Sequence, residues 1–271
     1  MTKLGITTKV TVLLFLLLTG WWLLLRLTPI GEDSFQNELF SASYGVMALW
    51  GGLLGWRISK KWGGVKSILG RSIVFFALGL LAQEFGQLIY SFYSLYLGVE
   101  IPYPSLGDLG FFGSIPLYIY AVWLLSRASG VSFTLKDGWN KLIAILVPAG
   151  MLYLSYYMFL SGYEFDFSSP LTIALDFGYP FGQAIYISVA LLTYLLSKKL
   201  LGGLMKNRIL FVLFALLIQY LADFTFLYMV SRDIWDTAGI NEFMYLLSYF
   251  VMTLALISLN NAFNKIKNAS L

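Results

Sequence analysis

Eight stretches of this chain are long and apolar enough to cross a lipid bilayer. A helix needs about 20 predominantly apolar residues to do so, because each residue adds about 1.5 Å of length. The composition agrees, with 59% hydrophobic and only 12% charged residues. We therefore predict an all-α, polytopic membrane protein that forms one transmembrane helical domain over residues 1–271. The eight predicted spans are residues 9–27, 38–57, 71–97, 106–126, 139–160, 171–196, 207–231 and 240–260.

The charged residues alternate in sign from one connecting segment to the next. Segments rich in Lys and Arg are retained on the cytoplasmic side of a membrane, so both termini are predicted to be cytoplasmic. We attribute the net charge of +4 to these residues near lipid headgroups, and not to a nucleic-acid partner. The basic segments contain Lys3, Lys9, Arg57, Lys60, Lys61, Lys66, Arg71, Arg127, Lys136, Lys141, Lys198, Lys199, Lys206, Arg208, Lys265 and Lys267. The opposite segments contain Glu32, Asp33, Glu38, Glu100, Glu164, Asp166, Asp233 and Asp236.

The chain contains no cysteine and no histidine. Their absence excludes disulfides, thiol redox chemistry, zinc sites built from Cys or His, and acid-base catalysis by histidine. We predict no metal site, no cofactor and no catalytic residue. A membrane enzyme that acts on lipid through a pair of carboxylates is disfavoured for the same reason.

Acidic side chains interrupt four of the apolar spans, at Glu84, Asp108, Asp176 and Asp223. A charge at the centre of a membrane helix costs roughly 2.5 to 3.5 kcal/mol on insertion scales, so acids here point to a function. Counting from the ends of each span places all four in the middle or outer part of the membrane. Hydrogen bonds that only hold helices together are the alternative explanation.

Neutral polar and aromatic residues accompany the acids. Gln87 lies one turn from Glu84, and Gln183 lies two turns from Asp176, in each case on the same helical face. Tyr90 and Tyr179 fall in the same layer as the acids. Carboxylates among tyrosine rings suit a cationic or amphipathic ligand, through charge pairing and cation-π contact. An interfacial aromatic belt is the alternative for part of the tyrosines.

Proline and glycine concentrate in two of the acid-bearing spans. Pro116 and Pro180 are predicted to kink their helices, since proline removes a backbone hydrogen bond and frees carbonyl groups. Gly107, Gly110 and Gly113 lie on one face, which favours close helix packing equally well. A weak similarity between spans three and four and spans seven and eight suggests a parallel repeat of two four-span halves.

Three motifs resemble the multi-span membrane sensor region at the N-terminus of some bacterial diguanylate cyclases and phosphodiesterases, the GGDEF and EAL types. They are Pro-Ser-Leu-Gly-Asp-Leu-Gly-Phe-Phe-Gly-Ser-Ile-Pro-Leu at 104–117, Tyr-Pro-Phe-Gly-Gln at 179–183 and Ala-Asp-Phe-Thr-Phe at 222–226. The similarity covers about residues 70–260. It implies a sensor in a prokaryotic plasma membrane that signals to the cytoplasm.

The chain departs from that pattern at three places. Gln87 and Gln183 stand where the pattern leads us to expect Asp, and Ile115-Pro116 replaces the usual Tyr-Pro. The resemblance does not extend to an output domain, so cyclase activity is not implied for this chain. We expect a separate cytoplasmic signalling protein as its partner.

The sequence therefore predicts a sensor or receptor that binds a small ligand in an outward-facing acidic and aromatic cavity. A secondary transporter driven by protons or cations is the main alternative, and a membrane enzyme or a structural subunit is less favoured. Membrane lipids are the other expected partner. The predicted ligand-binding residues are Asp108, Asp176 and Asp223 as charged contacts, Glu84 and Gln87 as the floor, and Tyr90, Tyr179 and Gln183 beside them.

Overall fold

A computed structural model of the chain describes residues 5–28, 31, 34–129, 138–197 and 203–269. These residues form helices and connecting loops, without a β-strand among them. The helices are α1 Ile6–Leu27, α2 Phe35–Ser43, α3 Val46–Lys61, α4 Ile68–Ser91, α5 Gly107–Ala128, α6 Gly138–Ser155, α7 Pro170–Ser197, α8 Gly203–Val230 and α9 Ile240–Ala269. Short π-helical turns, Phe92–Leu97 and Tyr156–Leu160, extend α4 and α6.

Seven helices in the described part of the chain are long and apolar enough to cross a membrane. The predicted all-helical, multi-pass architecture is confirmed at this level. The remaining predicted span, residues 38–57, is divided between α2 and the 16-residue α3. Tyr44 and Gly45 join them and keep right-handed helical dihedral angles, so the two helices follow one another with little change of conformation. Eight crossings remain a prediction.

The connections between helices collect at two opposite ends of the bundle. At one end Arg26, in the last turn of α1, forms an ion pair of 2.7 Å with Asp236, before α9. Trp22 of α1 also donates a hydrogen bond of 2.9 Å to the Ala238 carbonyl there. We call this the acid-rich end, and it includes the loops before α5 and α7. At the other, basic end, Lys61 donates to the Asn260 side chain over 2.8 Å.

The helix arrangement is consistent with the alternation of charge. Two ring contacts show that α1 and α9 run antiparallel: Phe15 stacks on Phe250, and Trp22, further along α1, stacks on Phe243, earlier in α9. Which end faces the cytoplasm remains a prediction. Of the residues used to predict it, Lys3, Glu32, Asp33, Lys136, Lys198 and Lys199 lie outside the described residues.

A close crossing of α4 and α5 is built around Gly110. A β-carbon at this position would come within 2.4 Å of the Ala82 carbonyl oxygen and 2.5 Å of the Gly86 nitrogen. The two backbones therefore approach as closely as only a small residue allows. Gly113, one turn further on, faces open space. Close packing thus accounts for Gly110 but not for Gly113.

Candidate functional site

A polar stripe runs along one face of α7. Asp176, Tyr179, Gln183 and Tyr186 are separated by three, four and three residues, which places them on the same side of a helix. At a rise of about 1.5 Å per residue the stripe is about 15 Å long. Its first two side chains are half-buried, whereas Gln183 is 5% exposed and Tyr186 fully buried. The stripe therefore leads from the acid-rich end into the interior.

Asp108 anchors the stripe at the acid-rich end. One of its carboxylate oxygens accepts the Tyr179 hydroxyl proton at 2.7 Å, and the other accepts the Ser105 backbone N–H at 2.7 Å. The Ser105 hydroxyl in turn accepts the Gly107 N–H at 3.1 Å. Ser105 and Asp108 have the spacing of a capping box, in which the two side chains satisfy free N–H groups at a helix start. Asp108 therefore also supports the beginning of α5, and the Ser-x-x-Asp pattern is the signal that could have predicted this.

Asp176 holds two loops against α7. Its two carboxylate oxygens accept the hydroxyl protons of Tyr103 and Tyr163, each at 2.7 Å. Tyr103 precedes α5 and Tyr163 precedes α7. We did not predict either residue as part of the site. No local pattern could have identified Tyr103, because it lies 73 residues from its partner.

The carboxylates of Asp108 and Asp176 change the pKa values of the tyrosines in the loops before α5 and α7. Burial and the hydrogen bond to Asp176 raise the pKa of Tyr103 well above its usual value, and Asp108 adds to the effect. The hydrogen bond to Asp176 is the main cause that raises the pKa of Tyr163 to about 12. Negative charge from both aspartates therefore reaches the same tyrosine. We define the outer cluster as Tyr103, Ser105, Asp108, Tyr163, Asp176 and Tyr179.

Asp223 forms a second group at the inner end of the stripe. It accepts a hydrogen bond of 2.6 Å from the Tyr186 hydroxyl and one of 2.9 Å from the Gln219 amide. The Gln219 oxygen accepts the Ser248 hydroxyl proton at 2.6 Å, and Tyr245 also hydrogen-bonds the carboxylate. These buried groups, which we call the inner cluster, join α7, α8 and α9. Several satisfied bonds compensate part of the cost of burying the acid.

Glu84 and Gln87 face the junction between α2 and α3. Gln87 accepts the Tyr44 hydroxyl proton at 2.9 Å and donates to the Ser41 carbonyl at 2.5 Å. In an uninterrupted helix that carbonyl would accept the N–H of Gly45. The Glu84 carboxylate packs against Gly45 and leaves no room there for a β-carbon. The two polar side chains of α4 thus lie where the α2–α3 helix is interrupted.

Glu84 differs from the other acids in its bonding. The residue is 5% exposed, and its buried Oε2 atom has no hydrogen-bond partner among the described residues. A buried carboxylate without a partner is costly when ionised. Among the buried acids Glu84, Asp223 and Glu242, Glu84 is therefore the one with the fewest hydrogen bonds to described residues.

Glu242 is a buried acid that we did not predict as part of the site. It accepts a hydrogen bond of 2.7 Å from the Ser41 hydroxyl and one of 3.1 Å from the Ala238 backbone N–H. It lies in the first turn of α9, where free N–H groups favour an acidic side chain. The sequence signal for this role was an acidic residue three positions after Gly239, as is typical of the first turn of a helix.

The structure divides the predicted residues among three places. Asp108, Asp176 and Tyr179 come together in the outer cluster, and Asp223 lies in the inner cluster. Tyr90 lies edge-on to Phe111 with ring centroids 5.3 Å apart, and its ring lies beside Gly107, the residue before Asp108. Gln183 lies between the two clusters on the α7 stripe, while Glu84 and Gln87 lie at the α2–α3 junction. A ligand-binding role for these residues remains a prediction.

None of these acids has a cationic partner in the part of the chain that the structure describes, where the ion pair is Arg26–Asp236. No three Asp or Glu side chains of the described ranges are grouped as a metal site would require. Comparison of the chain with protein-family models, curated proteins and solved structures gives no match.

Proposed function

We propose that the protein is a membrane sensor that binds a small organic cation at the outer cluster. The observation that carries the proposal is the pairing of Asp108 and Asp176 with tyrosine hydroxyls in place of Lys or Arg. Hydroxyl donors orient the carboxylates but leave their negative charge uncompensated. A cationic ligand would supply the missing charge.

The surroundings of the two carboxylates favour an organic cation. Tyr103, Tyr163 and Tyr179 place aromatic rings beside the acids, and an ammonium group gains about 0.5 to 2 kcal/mol from the face of such a ring. Tyr103 is 50% exposed, so the cluster can be reached from the acid-rich end. This combination of charge and rings matches the recognition of amines and quaternary ammonium groups.

Asp176 provides a route from ligand binding to a conformational change. It holds the loops before α5 and α7, so a cation that competes with Tyr103 or Tyr163 would release a loop. The α7 stripe then connects the outer cluster to Asp223 through Tyr186. In this proposal ligand binding shifts α7 between two positions, and a separate cytoplasmic protein reads the shift at the basic end.

The proposal is tested by thermal unfolding of the purified protein with choline, lysine, putrescine and spermidine. The variant that combines Asp108→Asn with Asp176→Asn tests the site. Asp166→Asn is the control, because this exposed acid also lies at the acid-rich end and bonds only its own loop at Ser168. We expect stabilisation by at least one amine in the wild type and the control, and none in the double variant. Equal stabilisation of all three proteins, or of none, would rule out the outer cluster as the site.

A transporter driven by protons or cations is the second candidate function. It is favoured by the position of Glu84 and Asp223, both 5% exposed inside apolar helices, and by the α7 stripe that reaches Asp223. Acids in such places serve as carriers of protons or cations in many transporters. Amine uptake into proteoliposomes that requires a proton or sodium gradient, and that Asp223→Asn abolishes, would select this function over the sensor.

A further inference from the structure

We infer that the groove between the basic ends of α3 and α4 is a binding site for one anionic phospholipid. The groove has a volume of about 410 Å³. It is formed by Trp56, Ser59 and Lys60 from α3, the turn at Val65 and Lys66, and Val74 from α4. The inference is independent of the ligand proposed for the outer cluster, which lies at the opposite end of the bundle.

The order of residues along the groove matches the shape of a phospholipid. Trp56 lies one helical turn deeper in the bundle than Lys60, because α3 runs toward the basic end. Val74 likewise lies deeper than Lys66, because α4 starts at this end. The apolar walls are thus at the depth of an acyl chain, and the two ammonium groups are at the depth of a phosphate.

Charge complementarity identifies the headgroup as anionic. The basic residues Arg57, Lys60, Lys61, Lys66 and Arg71 occur without an acidic residue between Glu38 and Glu84. Neither the Lys60 nor the Lys66 ammonium group has a hydrogen bond or an ion pair among the described residues. Both side chains can therefore contact a phosphate, whereas Lys61 is bonded to Asn260.

The turn that carries Val65 and Lys66 is held in place before any ligand binds. The Ser67 side chain bonds the Trp62 carbonyl and accepts the Gly70 N–H at 2.9 Å. Arg71 donates to the Val65 carbonyl at 3.0 Å. The turn also requires positive φ angles at Gly63 and Gly64, of 88° and 55°. A rigid turn loses little conformational entropy on binding, so the groove is preorganised.

The test measures equilibrium binding of dioctanoyl phosphatidylglycerol to the purified protein in a neutral detergent. The variant K60Q/K66Q removes both groove charges. Its matched control, K206Q/K265Q, removes two charges from the same end of the bundle outside the groove. We expect saturable binding to the wild type and the control, weakened on the order of tenfold or more in K60Q/K66Q. Trp56→Ala should also weaken binding, although it retains every charge.

Three outcomes would overturn the inference. Equal binding of dioctanoyl phosphatidylcholine would show that the negative charge is not recognised. Displacement of the lipid by millimolar inorganic phosphate would show that the groove selects phosphate alone and not a phospholipid. Equal weakening in K206Q/K265Q would show that a diffuse surface charge, and not the groove, attracts the lipid.

Discussion

The buried acids Glu84 and Asp223 differ in their hydrogen bonds although they are equally buried. Glu84 and Asp223 are both 5% exposed. Asp223 accepts hydrogen bonds from Tyr186 and Gln219, whereas the buried Oε2 of Glu84 has no partner among the described residues. Two carboxylic acids with the same degree of burial can therefore differ, one as part of a hydrogen-bonded network and the other outside one. The second case is the stronger indication of a role beyond folding.

This contrast predicts different stabilities for two variants that remove an acid. Asp223→Leu leaves the Tyr186 hydroxyl and the Gln219 amide without an acceptor, and Glu84→Met leaves no donor unpaired. Each unpaired buried donor costs about 1 to 3 kcal/mol, so Asp223→Leu should be less stable than Glu84→Met by at least that amount. The measurement is unfolding in mixed micelles of neutral detergent and dodecyl sulfate. Equal stabilities would mean that Glu84 has a bonding role that its geometry does not reveal.

The ionisation of Tyr163 gives a second prediction for a single residue. Its pKa is raised to about 12 because it donates a hydrogen bond to Asp176. The folded value exceeds the ordinary phenol value of about 10, so the stabilising contribution of this bond is present below pH 10 and is lost as the pH rises through 12. Carbon-13 NMR of protein labelled at tyrosine Cζ should show this titration, with the signal assigned by Tyr163→Phe.

Asp176→Asn provides the comparison for the Tyr163 titration. The amide is uncharged, so the pKa of Tyr163 should fall toward its ordinary value. An unchanged titration in this variant would show that Asp176 does not hold the tyrosine in solution.

Among the helices, contact distance explains which small residues matter. In α5, Gly110 meets the α4 backbone while Gly113 faces open space, although both lie on the face predicted for packing. The α4 backbone cannot move away from an added methyl group as a flexible side chain can. Substitutions at the two glycines should therefore differ although the residues are only three positions apart.

We predict that Gly110→Ala destabilises the protein by about 1 to 3 kcal/mol, the usual cost of overpacking. Gly113→Ala should be neutral or stabilising by up to about 1 kcal/mol, since Ala has the higher helix propensity. Thermal unfolding of both variants in the same detergent makes the comparison. Equal losses at both positions would place the α4–α5 crossing elsewhere.

At the scale of the whole molecule, the two ends of the bundle have opposite chemistry. The acid-rich end has tyrosines bonded to aspartates, and the basic end has the groove lined by Lys60 and Lys66. The positive-inside rule predicts that the basic end is cytoplasmic. The cysteine-free chain makes this prediction simple to test, because each introduced cysteine is the only thiol.

We predict that a membrane-impermeant maleimide labels Ser168→Cys in intact cells but labels Val65→Cys only after permeabilisation. Gly31→Cys, before α2, should behave like Ser168→Cys if α2 and α3 together cross the membrane. Labelling of Gly31→Cys and Val65→Cys from the same side would instead establish that α2 and α3 do not cross. The reversed pattern at Ser168 and Val65 would overturn the predicted orientation.

The amino-acid sequence alone determined the class of fold and the positions of the long apolar helices. This was possible because a bilayer leaves the backbone few alternatives to the helix, so length and apolarity identify a span. It also identified Asp108, Asp176, Asp223 and Glu84 as unusual, because their cost in a membrane is a property of the residue and its depth.

Only the tertiary structure decided which of these groups meet. Tyr103 bonds Asp176 across 73 residues of sequence, and Ser248 bonds Gln219 across 29. Such pairings depend on how helices are ordered and rotated around one another, and the packing of specific side chains sets both. The period of one helix carries no information about its neighbours, so the outer cluster, the inner cluster and the α2–α3 junction emerge only in three dimensions.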